Sequence, residues 1–195
     1  MSKNRCGWAL SSREMTEYHD TEWGRPLVED KKILQAFFLD TFQAGLSWAI
    51  ILSKKKNFQK AFANFNPVKI ARYDRGEVRR LIGNSGIIRN KRKIEAAIQN
   101  AQKILAIKKE YGSFAKYLWR FTHGKTIHHA FRSLEDIPTT SKEAEAMSKD
   151  MRARGFRFVG PTTLYALMQG IGMVNDHLVS CFAYQELKKA SLRRF

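Results

Sequence analysis

The sequence predicts an all-α fold, because apolar residues recur at helical spacing along most of the chain while strand-like alternation is almost absent. Alternation occurs only briefly, at residues 157–159. The 195 residues suit one compact domain over residues 1–195, or two small helical lobes that share a core. No internal repeat or linker divides the chain.

The first helices are predicted from the spacing of phenylalanines and other apolar residues. Over residues 29–53, apolar side chains recur three and four positions apart, as on the buried face of a helix. These side chains are Ile33, Leu34, Phe37, Phe38 and Phe42. Three further phenylalanines are in phase over residues 57–65 and predict a second helix. Pro67 then fits the first turn of the next one.

The rest of the chain continues the helical pattern. The predicted segments are, in order, residues 77–108 with a break near residues 83–86, residues 113–122, a helix that ends before Gly155, and residues 162–170. Thr140 or Ser141 is a candidate cap for the helix before Gly155. Asp176 is a candidate cap for a last helix.

The charge of the chain points to a polyanionic partner. Lys and Arg number 35 against 18 Asp and Glu, which gives a formal charge of +17. Such a charge repels itself, so a partner that neutralises it is expected. Nucleic acid is the first candidate and an anionic membrane surface the second. A solvated basic surface without such a partner remains the alternative.

The chain shows no sign of export or membrane insertion. No apolar run approaches the roughly 18 residues that a membrane span needs. The first six residues are polar, unlike a secretory signal. A cytoplasmic protein is therefore expected, and a disulfide between its two cysteines is not.

Two pairs of metal-ligating residues lie near opposite ends of the chain. Cys6 and His19 come first, and His177 and Cys181 come last. His177 and Cys181 are four positions apart, so on a helix they would share a face. Two thiolates and two imidazoles make a closed tetrahedral zinc site, which would join the two ends. The alternative is that the cysteines and histidines simply pack.

Aromatic residues and one carboxylate form a second group. Its members are Trp8, Tyr18, Trp23, Asp40 and Trp48. Such a group can form a pocket in which an extrahelical base stacks on an indole while a carboxylate reads its edge. Asp40 stands in an apolar helical pattern, where a buried carboxylate is costly unless it is paired or functional. The alternatives are that the aromatics are only core and that Asp40 faces outward.

A glycine-containing turn precedes the helix predicted over residues 162–170. It carries Gly155 and Gly160, and Thr162 follows it in the first helical turn. Free backbone N–H groups at a helix N-terminus bind anions, so the turn suits one DNA phosphate. An ordinary turn between two helices is the alternative.

Six blocks together resemble the 3-methyladenine DNA glycosylase I family of helix-hairpin-helix repair enzymes. The blocks are RCGW at residues 5–8, YHDTEWG at 18–24, QAGLSW at 43–48, GIIRN at 86–90, GFRFVGPTT at 155–163 and VNDH at 174–177. They keep the family's order and cover most of the chain, which makes them far more specific than any single motif.

The resemblance implies a role for each candidate residue. The four terminal cysteines and histidines match the family's structural zinc ligands, and the tryptophans and Tyr18 match its base pocket. In the implied mechanism Trp48 stacks on the base, Asp40 accepts a hydrogen bond from it or balances its charge, and Tyr18 bonds its edge. Gly45 and Leu46 form a candidate wedge that enters the vacated base stack, or else an ordinary helix–helix contact.

The implied activity is hydrolysis of the N-glycosidic bond of 3-methyladenine, and also of 3-methylguanine, in alkylated duplex DNA by a monomeric, monofunctional enzyme. The two alternatives are a non-catalytic, zinc-containing protein that binds damaged DNA and a glycosylase with another lesion range. Asp176 is assigned only a cap or a position behind the zinc ligands. His123, His128 and His129 are interpreted as surface or structural residues.

The chain departs from the family pattern at Asp40, where a glutamate is typical. Aspartate keeps the charge but is shorter by about 1.5 Å, one carbon–carbon bond. It reaches the base through a water or after a shift of the backbone, or else it discriminates less well. Met15, where family members can carry an aromatic residue, points the same way. The lesion range is therefore less fixed than the fold.

Overall fold

The computed structural model describes residues 3–189, and this part of the chain is mostly helical. Its α-helices are α1 (Arg13–Thr21), α2 (Asp30–Gln43), α3 (Trp48–Ala61), α4 (Pro67–Ile70), α5 (Arg75–Ile82), α6 (Lys91–Tyr111), α7 (Phe114–Trp119), α8 (Lys142–Ala153), α9 (Pro161–Gly170) and α10 (Phe182–Lys189). Short 3₁₀ turns occur at Gly7–Ser11, Ala63–Phe65, Arg120–Thr122 and Leu134–Asp136. None of the described helices is long and apolar enough to cross a membrane.

The predicted helix starts in the middle and second half of the chain are confirmed. Pro67 occupies the first turn of α4 behind the capping side chain of Asn66. The side chain of Ser141 accepts a hydrogen bond from the backbone of Ala144 and caps α8. The break between α5 and α6 falls where the glycines predicted it.

The break between α2 and α3 differs from the prediction, which ran one helix over residues 29–53. The chain turns at residues 44–47 instead, and α3 continues without interruption to Ala61. Gly45 adopts a φ of 78°, which favours glycine, and the backbone N–H of Leu46 donates to the carbonyl of Gln43 at 2.7 Å. The buried amine of Lys93 donates to the carbonyls of Phe42 and Ala44. It thereby satisfies backbone carbonyls that have no helical partner at the C-terminal end of α2.

The only strands among the described residues are β1 (Ile127–His128) and β2 (Val174–Asn175), a short parallel pair. The strand pattern at residues 157–159 was misleading. That segment is an irregular turn in which Phe158 has a φ of 55°. The turn buries Phe156 and Val159, which are three positions apart and do not follow the two-residue period of a strand.

The core surrounds α2. Over residues 37–42 this helix buries side chains on every face, including Phe37, Phe38 and Phe42, and the helix packs against α3, α6, α7 and α9. A helix segment that is buried all round is expected in the centre of a fold. Asp40 therefore reaches the interior because its helix is enclosed.

A second, smaller cluster joins the two ends of the chain. Cys6, Cys181 and Ala183 are buried there, with Trp8 and Phe182 against them. His177 and Cys181 lie in the non-helical segment between β2 and α10, so the prediction that they share a helix face was wrong. Asp176 does not cap α10, because the helix begins six positions later.

Candidate functional site

Four ligand atoms meet where the two ends of the chain join. All four belong to buried residues and lie within 4.8 Å of one another, and we call this the terminal cluster. Its residues are Cys6, His19, His177 and Cys181. Nδ1 of His177 lies 3.2 Å from Nε2 of His19 and 3.6 Å from the sulfur of Cys181. Bonds of about 2.0 Å to nitrogen and 2.3 Å to sulfur give tetrahedral edges close to these distances, so the donor set fits zinc.

The surroundings of the terminal cluster orient its histidines. Nδ1 of His19 lies 2.9 Å from a carboxylate oxygen of Asp20, which leaves Nε2 for the cluster. Arg5 donates two hydrogen bonds to Asp20 from Nε and Nη2, and these hold the pKa of that carboxyl at about 2. The thiol of Cys6 and then the two imidazoles lower the pKa of Cys181, which favours its thiolate. Asp20 thus has the place behind a ligand that the sequence assigned to Asp176.

An aromatic cavity of about 470 Å³ lies beside the terminal cluster. Its lining residues are Trp8, Met15, Tyr18, Trp23, Asp40, Gln43, Trp48, Leu134, Ile137, Pro138, Thr139, Thr162, Tyr165, Ala166 and Gln169. The five residues that the sequence placed in a pocket are all among them, and so is Met15. The other half of the lining comes from α9 and residues 134–139, and of these residues only Thr162 stands in a block that the sequence singled out.

Ring contacts connect the aromatic cavity to the terminal cluster. Trp8 packs edge-on to Trp23 with the ring centroids 5.0 Å apart. Trp23 lies 4.5 Å from the ring of His177, and Trp8 lies 5.2 Å from that of His19. Gly24 permits this approach, since a Cβ there would lie 2.8 Å from Nε2 of His177. The terminal cluster therefore supports one aromatic wall of the cavity.

Asp40 is a buried carboxylate that the protein leaves without a hydrogen-bond donor. Its residue is 7% exposed, and no side chain or backbone group of residues 3–189 bonds or ion-pairs with it. Burial raises its pKa well above the usual value. Burial, and then the charge of Asp40, likewise raise the pKa of Tyr18. The indole N–H of Trp48 is buried without an acceptor in the same wall.

Tyr18 and Trp48 form an aromatic pair that lines the same cavity as this carboxylate. Their ring centroids lie 5.3 Å apart with planes inclined at 47°. A flat ligand that enters the cavity therefore meets two π faces and an acceptor without a partner. Such unsatisfied groups inside a cavity favour a ligand that bonds them.

The cavity residues Tyr165 and Gln169 of α9 belong to a satisfied polar network. The carboxylate of Asp176 is 1% exposed and accepts hydrogen bonds from the hydroxyl of Tyr165 at 2.7 Å and from Nε2 of Gln169 at 2.8 Å. Nδ1 of His129 donates to its other oxygen at 2.6 Å, and this bond raises the pKa of His129. Sequence reasoning missed this network, because its members come from three separate segments.

The residues predicted to contact DNA occupy two turns. Gly45 is exposed, and the partly buried Leu46 accepts a hydrogen bond at its carbonyl from the side chain of Gln43, a cavity residue. Gly160 is the N-cap of α9, and Thr162 in its first turn lines the cavity. Gly155 ends the α8 turn away from the cavity, where its carbonyl accepts from Gln99 at 2.6 Å.

Comparison with known proteins identifies close relatives. The family model for methyladenine glycosylases matches residues 8–184. The chain is 39% identical over 180 residues to DNA-3-methyladenine glycosylase 1 of Escherichia coli, covering 92% of this chain and 96% of that protein. It is 38% identical over 177 residues to DNA-3-methyladenine glycosylase of Haemophilus influenzae, covering 91% and 96% respectively.

Solved structures agree with these relatives. A crystal structure of 3-methyladenine DNA glycosylase I superposes with a TM-score of 0.89 at 40% identity, covering 92% of this chain and 98% of the other. The enzyme from Staphylococcus aureus gives a TM-score of 0.89 at 33% identity, covering 94% and 98%. A variant solved in complex with 3-methyladenine also gives 0.89 at 33% identity, covering 93% and 97%.

Proposed function

The chain belongs to the methyladenine glycosylase family, and we propose that it hydrolyses the N-glycosidic bond of 3-methyladenine in alkylated duplex DNA. The observation that carries the proposal is the aromatic cavity with an unpartnered, buried carboxylate in its wall. Methylation at N3 gives the base a positive charge. The buried carboxylate and the π faces of the aromatic rings attract that charge. Their attraction is stronger inside the cavity than in water, because less solvent surrounds them there.

The catalytic roles are divided among three residues. Trp48 stacks on the flipped base, Asp40 accepts from its exocyclic amine or balances its charge, and Tyr18 bonds its edge. Trp8 and Trp23 complete the pocket. The raised pKa of Asp40 suits this role, because a bound cation favours the carboxylate that burial alone disfavours.

The reaction needs no strong general acid. The bond from C1′ of the sugar to N9 of the base breaks with both electrons passing to the base, which neutralises the cation. The sugar passes through an oxocarbenium-like state, and water adds to C1′ and loses a proton. The products are free 3-methyladenine and an abasic site, and no amine of the protein attacks the sugar in this monofunctional scheme.

Zinc at the terminal cluster is proposed as the structural cofactor. Its donor set and spacing fit the ion, and the aromatic wall rests on two of its histidines. Bound zinc supplies a tetrahedral crosslink between the two ends of the chain, not a reactive group. We expect about one zinc per chain, and its removal by a chelator should loosen Trp8 and Trp23.

DNA engagement is proposed to use the charge and the two turns. The segment from α8 to α9 is the candidate hairpin of the helix-hairpin-helix motif, with Gly155, Gly160 and Thr162 around one phosphate. Leu46, next to Gly45, enters the space that the flipped base leaves. Duplex DNA is the expected partner of a cytoplasmic monomer whose one domain spans residues 1–195, with helical lobes on either side of the cavity.

A glycosylase with a wider lesion range is the second candidate. Asp40 supports it, because the shorter side chain has no bonded neighbour that fixes its position and leaves more room than glutamate. 3-Methylguanine is the first lesion to include for this reason.

The test is chromatography of the bases that the purified protein releases from methylated duplex DNA. Free 3-methyladenine, with 7-methylguanine retained in the DNA, supports the proposal. Release of further bases favours the second candidate. If folded, zinc-loaded protein binds the DNA but releases no base, the catalytic role is wrong and the protein is a damage-binding one. Trp48→Ala is the matched variant, because it removes the stacking face while leaving the terminal cluster intact.

A further inference from the structure

Asp176 determines which way the amide of Gln169 points. Nε2, the NH₂ nitrogen of the Gln169 amide, donates to Oδ2 of Asp176 at 2.8 Å. The oxygen of the same amide then lies on the far side of the group. Because Gln169 lines the aromatic cavity, this oxygen is the atom available to a ligand there.

Tyr165 obeys the same constraint. Its hydroxyl carries one hydrogen, and that hydrogen is donated to Asp176 at 2.7 Å. Tyr165 also lines the cavity, and towards the cavity it can only accept. The buried carboxylate thus draws donors of both side chains towards itself, and the α9 wall offers acceptors to a ligand.

From this geometry we infer that Gln169 is a specificity-determining residue that presents an acceptor to the base, and that Asp176 is the positioning residue that holds it in that orientation. The inference rests on the proposed function and deepens it. The α2 helix, which carries Asp40, packs against α9. Acceptors therefore come from two walls of one cavity.

Such a cavity favours adenine over guanine. Alkylated adenine carries an amine with two hydrogens at ring position 6, whereas guanine carries a carbonyl oxygen there. Asp40 takes one hydrogen of the amine and Gln169 the other. The guanine oxygen in the same place faces an acceptor and leaves it without a partner, which buried polar groups tolerate poorly.

The experiment measures release of 3-methyladenine and 3-methylguanine from the same methylated duplex by wild type and four variants, one of them a control. Gln169→Met keeps the length of the side chain but removes the amide. Asp176→Ala removes the positioning carboxylate, and the double variant combines the two changes. Asp150→Ala is the matched control, since Asp150 accepts from the hydroxyl of Tyr117 at 2.7 Å but does not line the cavity. Zinc content and melting temperature are recorded for each protein.

The expected result is a loss of about tenfold in the ratio of 3-methyladenine to 3-methylguanine release for Gln169→Met, the effect of one hydrogen bond to a charged ligand. Asp176→Ala should change the ratio in the same direction. The double variant should equal Gln169→Met alone, because Asp176 acts through Gln169. Asp150→Ala should leave the ratio unchanged even where stability falls.

An unchanged ratio for Gln169→Met would overturn the inference, and additive effects in the double variant would remove Asp176 from it. Binding of the free bases, measured by calorimetry, separates this failure from failure of the proposed function. A wild-type protein that releases no base contradicts the proposed function. In that case, loss of the preference for free 3-methyladenine over free 3-methylguanine in Gln169→Met still supports the role of Gln169 as an acceptor. Equal affinities of wild type and Gln169→Met for each free base contradict that role.

Discussion

Asp40 and Asp176 are two buried carboxylates near the same cavity, and the protein treats them in opposite ways. Asp176 accepts from three side chains, so its desolvation is offset within the fold. Asp40 has no donor among the described residues and its pKa is raised by burial. Asp176 therefore has a structural role, because its hydrogen bonds hold neighbouring side chains in place. The carboxylate of Asp40 is free to bind a ligand.

Asp40→Asn neutralises the buried carboxylate that has no donor among the described residues. Asp40→Asn should lower the rate of 3-methyladenine release by roughly 100-fold, because the charge that opposes the cationic base is lost. Single-turnover release from methylated duplex measures this rate. Asp74→Asn is the control, since Asp74 is an exposed helix cap far from the cavity residues. A rate within threefold of wild type for Asp40→Asn would show that the charge of Asp40 does not stabilise the cationic base during the reaction.

The second prediction concerns Asp176 and stability. Asp176→Ala leaves the hydroxyl of Tyr165, the amide of Gln169 and the imidazole of His129 without their acceptor. The free energy of unfolding should fall by about 3 kcal/mol, from roughly 1–3 kcal/mol for each unsatisfied buried group and some relief by water. Urea denaturation at constant zinc content measures it. A loss below about 0.5 kcal/mol would mean that the network does not stabilise the fold.

The aromatic residues, Asp40 and the terminal cluster could be predicted from the sequence, whereas the network around Asp176 could not. The aromatic residues stand in the blocks that carry the family resemblance, Asp40 stands out as a carboxylate in an apolar helical pattern, and the terminal cluster stands out by its residue types, so the sequence was enough to single them out. The reasoning for His177 and Cys181 was nevertheless wrong in detail, because a non-helical segment brings them together. The residue types determined the cluster, and the backbone conformation did not have to be known.

The Asp176 network could not be predicted in the same way. Its partners are 47, 11 and 7 positions away, and none of these separations is a motif. Only the parallel pairing of β1 with β2 brings His129 to Asp176. The turn between α2 and α3 was missed for a related reason. Lys93, about fifty positions downstream, donates hydrogen bonds to backbone carbonyls at the C-terminal end of α2. The spacing of apolar residues within a helix cannot predict a contact with a residue so distant in sequence.

The buried carboxylate of Asp40 should also make the stability of the protein depend on pH. Folding raises the pKa of Asp40, so the folded protein holds that proton more tightly than the unfolded chain. Stability from this group is therefore complete below the unfolded pKa of about 3.9 and is lost as the pH rises through the folded value. Asp40→Asn avoids this loss. The variant should be more stable than wild type by about 1 kcal/mol at pH 8, the lower range for an unpaired buried polar group, and the gain should vanish towards pH 4. Urea denaturation of both proteins across this range measures it, and a constant difference at every pH would show that folding does not shift the pKa of Asp40. The gain would mean that the carboxylate of Asp40 is retained for its ligand at a cost in stability, whereas loss of Asp176 lowers both the stability and the preference for 3-methyladenine.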